Sequence, residues 1–182
     1  MSKDTEQKIL DAALKIFSKH GYTGARTRII ARESGFTEMT LFRKFETKEN
    51  LFNRVITTNQ ERIVGDFEKL LSSAQKEDPR DHFHDLVMGL VDLMDKNFEY
   101  VNIIIYERER VSHSVTQTFV FYLGDYLKKI LPDTDVDLNI LSFSILSFVF
   151  FLIFNKKVGK SSFNVAIGVE EFIKYNSDAL NL

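Results

Sequence analysis

Met39, Thr40 and Arg43 stand in one short stretch, Glu38–Lys44, followed by Phe45. Wound as a helix at about 100° per residue, Leu41 and Phe45 share one face, and the first three cluster on the opposite face. That outer face carries a guanidinium, a hydroxyl and a flexible thioether, and no carboxylate. Arg43 offers a two-pronged donor that fits a guanine edge, and Thr40 can bond phosphate or base. Glu38 lies nearer the buried side in the first turn, where the helix dipole favours an anion. Further on, Lys48 follows Thr47, a residue suited to capping a helix. A cation in a first turn opposes the dipole by about 0.3–1 kcal/mol, and Glu49 offsets part of that. A helix N-terminus is an anion site, and a lysine beside it strengthens the hold on a phosphate. The chemistry on offer is recognition of double-stranded DNA.

Other chemistries find little to work with. His82-Phe83-His84 places two imidazoles at i,i+2, on different sides of a helix, whereas a metal pair wants i,i+4. His20 and His113 are isolated, and Glu107-Arg108-Glu109-Arg110 reads as a solvated charged turn. There is no cysteine, which excludes disulfides and thiolate metal sites and fits a reducing compartment. No glycine-rich phosphate loop and no nucleophile elbow occur. The expectation is a protein that is not an enzyme, with no catalytic residue, no metal site and no cofactor.

The elements that must position these residues read as helices throughout. β-branched alternation is nearly absent, only two prolines occur, and apolar residues recur at helical spacing. The first helix is expected from about Thr5 to His20, capped by Asp4, with Gln7 reaching back, and stopped by Gly21. A second runs over Thr27–Ser34, capped by Thr27. Gly35 turns the chain sharply into a third, Glu38–Lys44, capped by Thr37. A fourth runs from after Thr47 to about Leu71. Later helices are expected at 80–96, 98–111, 113–131, 136–155 and 162–176, about nine in all. Residues 1–50 hold ten Lys and Arg against seven Asp and Glu, although the whole chain carries −2. Only that basic first quarter suits an anionic partner.

The run from Gly35-Phe36-Thr37 through Glu38-Met39-Thr40-Leu41-Phe42-Arg43-Lys44-Phe45 to Thr47-Lys48-Glu49-Asn50-Leu51 resembles the signature of the TetR (tetracycline-repressor) family. Ile9-Leu10-Asp11-Ala12-Ala13 and Phe17-Ser18-Lys19-His20-Gly21-Tyr22 resemble its first helix, and Thr27-Arg28-Ile29-Ile30-Ala31 the start of its second. The resemblance covers about the first 52 residues. It implies an all-α protein: a three-helix, helix-turn-helix DNA-binding domain over 1–47 and an effector-binding and dimerisation domain over 48–182. It places Thr27, Arg28, Thr37, Met39, Thr40, Phe42, Arg43, Lys44 and Lys48 in the DNA-binding set. Thr27, Thr40 and Lys48 would meet phosphate, and Met39 and Arg43 would read bases. Phe42 stands where the family usually has Tyr, so a phenolic hydroxyl is lost. Lys44 stands where Tyr or His is usual, and its ammonium can substitute for that contact.

The remainder is rich in aromatics: there are seventeen Phe, most of them after residue 50. Phe83, Val87, Met88, Tyr100, Ile104, Phe119 and Tyr122 are expected around an apolar effector cavity with a few polar tips. Two apolar helices end the chain, and the family resemblance implies that they pair with their copies as a four-helix bundle. Phe148, Phe151, Val165, Val169 and Phe172 are its expected contacts. Leu138–Phe154 is about as long as the shortest membrane spans, yet its serines and closing lysines favour a buried helix between two neighbours. No signal-peptide core opens the chain. The expected protein is a cytoplasmic homodimer without membrane contact. It binds a palindromic operator, more as a repressor, and a small hydrophobic molecule releases it. An activator, a ligand-independent DNA binder and an all-α carrier of hydrophobic ligands are the alternatives.

Overall fold

A computed structural model describes residues 3–73, 77–111, 114–131, 134–159 and 164–180. Among them the chain is helical with no strand: α1 Lys3–Gly24, α2 Thr27–Ser34, α3 Glu38–Phe45, α4 Lys48–Leu71, α5 Pro79–Lys96, α6 Phe98–Tyr106, α7 Ser114–Ile130, α8 Leu138–Val158 and α9 Val165–Leu180. By compactness it forms two units, Met1–Arg62 with Glu99–Ser112, and Ile63–Phe98 with His113–Leu182.

In the first unit, the apolar stripe of α1 (Ile9, Ala13, Phe17) is buried together with Ile30, Leu41, Phe45, Leu51, Phe52 and Val55. Burying each large side chain is worth about 1.5–3 kcal/mol. α1 packs on α2, and α2 on α3. At Gly21 the regular helix breaks (φ 65°), so the stop expected there is present even though helical turns resume to Gly24. Two expected caps are corrected. Asp4 lies inside the first turn and pairs with Lys8, and Gln7 bonds Asp11. Arg26, in extended conformation and without a side-chain bond, is the cap residue of α2, and Thr27 is its first helical residue.

The second unit packs α8 against α5 and α7, with α9 on α5 and α8. Phe83, Leu86, Val87 and Leu90 of α5 meet Leu123 and Leu127 of α7, Leu141, Ile145, Val149 and Leu152 of α8, and Val169 and Ile173 of α9. Asp78 caps α5, accepting from the N–H groups of Arg80 and Asp81, with Pro79 in the first turn. Asp137 caps α8 in the same way. α6 ends at Tyr106, earlier than its apolar pattern suggested, and 107–110 form a turn. The expected start of the last helix at 162 and the turn at Pro132-Asp133 lie outside the described residues. α8 is long and apolar enough to cross a membrane by length and composition. Its apolar residues are not all covered: Ile140, Phe143, Phe151 and Val158 lie on one exposed stripe. The helix is two-faced: it packs between α5 and α7 on its inner side, as expected of a helix held by two neighbours, and leaves this stripe open.

Candidate nucleic-acid interface

Gly35 makes the turn between α2 and α3. At φ 80° it closes α2 in the left-handed conformation that costs glycine nothing, its N–H reaching the carbonyls of Ala31 and Arg32. Phe36 N–H bonds the Ala31 carbonyl at 2.9 Å. Thr37 then caps α3, its hydroxyl accepting from Thr40 N–H at 3.2 Å. Thr40's own hydroxyl lies 3.0 Å from that of Thr37. The Thr27 hydroxyl donates to Glu38, fastening the start of α2 to the start of α3. A hydroxyl has one proton, so Thr27 as placed spends its donor inside the domain.

α3 turns Leu41 and Phe45 into the core and Met39, 77% exposed, away from it. Phe42 and Arg43 are also exposed, as is Arg28 of α2. Lys44 is not on that face. Its ammonium sits 2.8 Å from Glu6 of α1, with the side chain 18% exposed, so its charge is matched within the domain. Arg54 of α4 lies 3.3 Å from the other Glu6 oxygen. The hydrogen bond from Lys44 is the main cause holding the Glu6 carboxyl below the usual carboxylate range, with both cations adding to it against partial burial.

Between α3 and α4 the chain makes a turn that the residue types did not announce. Glu46 takes φ 63°, ψ −50°, and Thr47 N–H reaches back to the Phe45 carbonyl. This is a γ-turn with positive φ, a strained conformation for a residue with a Cβ. It delivers the α4 N-terminus, where Thr47 accepts from Asn50 N–H at 3.0 Å and Lys48 opens the helix. Burial, more than the nearby Arg110, lowers the affinity of the Lys48 amine for its proton. Arg32 went unremarked in the sequence. It lies one turn from Arg28 and is exposed, and an open groove of about 480 Å³ is lined by both arginines with Phe36, Thr37 and Glu38. The i,i+4 spacing on α2 was the available signal.

The expected effector residues are divided between the two units. Phe83 and Val87 are core residues of the second unit, with Met88 and Phe119 packed against it, while Tyr122 is 41% exposed. Tyr100 and Ile104 belong to the first unit. Tyr100 is buried, and its hydroxyl has no hydrogen-bond partner among the described residues. Burial pushes this phenol far above its ordinary range. A buried pair that the sequence did not suggest, His82 Nε2 and Tyr126 Oη at 2.8 Å, lies in the second unit. Of the expected dimer contacts, Val169 is wholly buried in its own unit, so it is a core residue there. Phe148 stacks on Phe172 at 4.3 Å, Val165 is half-buried and Phe151 is exposed.

Residues 9–55 match the family described as bacterial regulatory proteins, tetR family. The chain is 30% identical over 105 residues to the HTH-type transcriptional repressor NicS of Pseudomonas putida, a match covering 57% of this chain and 48% of that protein. It thus spans about half or less of the length of the curated relatives it matches. A TetR-like transcriptional regulator from Rhodococcus sp. RHA1 has a similar fold, with TM-score 0.74, 17% identity and 96% of each chain covered. So does the transcriptional regulator FadR from Bacillus subtilis in complex with stearoyl-CoA, with TM-score 0.66, 13% identity and coverage of 92% and 95%. The Gly35 turn and the Thr37-capped α3 lie within residues 9–55, the segment that matches the bacterial regulatory proteins, tetR family.

Proposed function

We propose that this protein is a cytoplasmic, one-component transcriptional regulator whose homodimer binds a palindromic DNA operator and lets go of it when a small apolar molecule binds. The observation that carries the reading is the outer face of α3, where Met39 and Arg43 are exposed while Leu41 and Phe45 anchor the helix. Arg43, Met39 and Thr40 read or align base edges, and Lys48 at the α4 N-terminus holds a phosphate. Arg28, Thr37 and Phe42 flank them. Residues 1–47 serve as reading head, and 48–182 serve effector and partner. A repressor is the favoured form, in line with the name of the Pseudomonas relative.

The stearoyl-CoA in the similar Bacillus structure supports an acyl or otherwise apolar effector. So does the density of Phe and Tyr between 80 and 155. The Tyr100 hydroxyl, buried without a hydrogen-bond partner among the described residues, is the group to meet the effector's polar end.

The test is equilibrium binding to duplexes selected from a random library by the purified protein. Two α3 helices, about 34 Å apart in successive major grooves, select a two-fold symmetric site. Log affinity falls steeply with log salt as counterions leave the phosphates. Arg43→Ala costs about 1–3 kcal/mol and relaxes preference at one position per half-site. Flat binding from low to high salt overturns the reading and favours a carrier of hydrophobic ligands. Selected DNA that no apolar ligand releases favours a ligand-independent binder.

A further inference from the structure

Glu107 and Arg110, on the turn after α6, both engage the C-terminal end of α1. Glu107 Oε1 accepts from the Tyr22 N–H at 2.7 Å. It lies so close to Gly21 that a Cβ there would meet it at 2.8 Å. The turn is solvated at Arg108, Glu109 and Arg110, as expected, but is docked through Glu107. The Arg110 guanidinium lies over the Tyr22 ring, its Cζ 4.1 Å from the centroid. The Lys48 ammonium lies over the same ring at 4.6 Å. Both are within cation–π range. The ring itself is held edge-on to Phe52 at 5.1 Å and stacked with Phe17 at 6.1 Å. One cation from the first residue of α4 and one from the turn 107–110 thus share one fixed aromatic platform.

The two like charges repel, and Arg110 adds to burial in making the Lys48 amine harder to protonate. Glu107 offsets this in part, with an oxygen 3.6 Å from Arg110 Nε, but that carboxylate also serves the Tyr22 amide. A guanidinium has five donors, and the Arg110 side chain is 47% exposed. An anion with several acceptor oxygens, such as a phosphate, can accept from both cations at once.

We propose that Arg110 is a second phosphate-binding residue beside Lys48, so that the turn following α6 takes part directly in holding the DNA backbone. The inference rests on the DNA-binding reading above. It makes backbone affinity depend on where the 107–110 turn sits, with Glu107 as a resident competitor for the two cations.

The experiment uses the full chain, with wild type, Arg110→Gln, Arg110→Lys, Glu107→Gln and Lys48→Ala each checked for cooperative thermal unfolding. Affinity is measured across a salt series on selected duplex and on unrelated duplex. The slope of log affinity on log salt drops by about 1 per subunit in Arg110→Gln, as it does in Lys48→Ala. The loss is alike on both duplexes. Arg110→Lys keeps the slope, and Glu107→Gln binds both duplexes more tightly. A merely structural Arg110 would weaken binding at every salt concentration with the wild-type slope, and that result overturns the inference. So does stabilisation by inorganic phosphate that Arg110→Gln abolishes while the DNA slope stands, which would mark a free-anion site. If Arg110→Gln does not fold, an unchanged affinity in Glu107→Gln overturns it instead. A wild-type protein with no salt-dependent binding sinks the reading beneath; a steep wild-type slope retained in Arg110→Gln sinks this inference alone.

Discussion

Tyr100 and Glu6 show how single residues serve different ends in the first unit. Tyr100 is buried, its hydroxyl without a partner among the described residues; such a group costs about 1–3 kcal/mol relative to a satisfied or absent one. Tyr100→Phe removes the polar atom and keeps the ring. The variant is expected to melt higher than wild type while responding less to an effector that uses the hydroxyl. A variant that melts lower shows the hydroxyl to be satisfied in solution. Glu6 instead joins α1 to α3 and to α4, through Lys44 and Arg54. Its carboxyl is held below the usual range in the folded protein, chiefly by Lys44, so its contribution is present at neutral pH and disappears as pH falls through the folded value. Glu6→Gln is expected to lose about 0.5–1 kcal/mol at neutral pH, since the pair is partly solvent-exposed. The deficit should close in acid. Denaturant titrations across that range decide it: a deficit independent of pH would rule out the ion pair as the cause.

Elements were legible in the sequence where a residue type has one conformational meaning. Gly21 and Gly35 announced positive φ, Thr37 announced a cap, and the 3.6-residue recurrence of Ile9, Ala13 and Phe17 announced a buried stripe. Where the meaning depends on a partner distant in sequence, the reading failed. Thr27 looks like a cap and is spent on Glu38, Lys44 looks like an outward cation and is spent on Glu6, and Glu107 looks solvated and is docked on Tyr22. The γ-turn at Glu46 was invisible for another reason: positive φ without Gly or Asn has no sequence signature. Its strain makes a prediction. Replacing Glu46 by Gly relieves about 1–3 kcal/mol of conformational energy and restores roughly 0.4–1 kcal/mol of unfolded-chain entropy, for a net gain of about 1 kcal/mol. Glu46→Val should lose stability, because a β-branched side chain tolerates that φ least. Urea midpoints for the two variants check this. A Gly variant less stable than the Val variant would mean that the turn relaxes in solution and that the α3–α4 junction is not held under strain.

At the scale of the whole molecule, the question is what covers α8. Its inner stripe, Leu141, Ile145, Val149 and Leu152, is core, while Ile140, Phe143, Phe151 and Val158 form a second apolar stripe open to solvent. Ile167 and Tyr175 of α9 are exposed as well. Large open apolar surface marks an interface, and two-fold symmetry makes one patch complement itself. The proposed homodimer therefore rests on Phe151 more than on Val169, which lies inside one protomer's own core. The two residues separate association from folding. Val169→Glu leaves an unpaired charge in a dry core, so it should unfold the second unit outright. Phe151→Glu puts its charge where the free protomer is already solvated. It should leave secondary structure and thermal cooperativity intact while halving the mass seen by light scattering. With one reading head per particle, affinity for a palindromic duplex should collapse towards that for a half-site. A Phe151→Glu protein that stays dimeric would place the subunit interface elsewhere, with the exposed α7 residues Phe121 and Tyr122 as the next surface to examine.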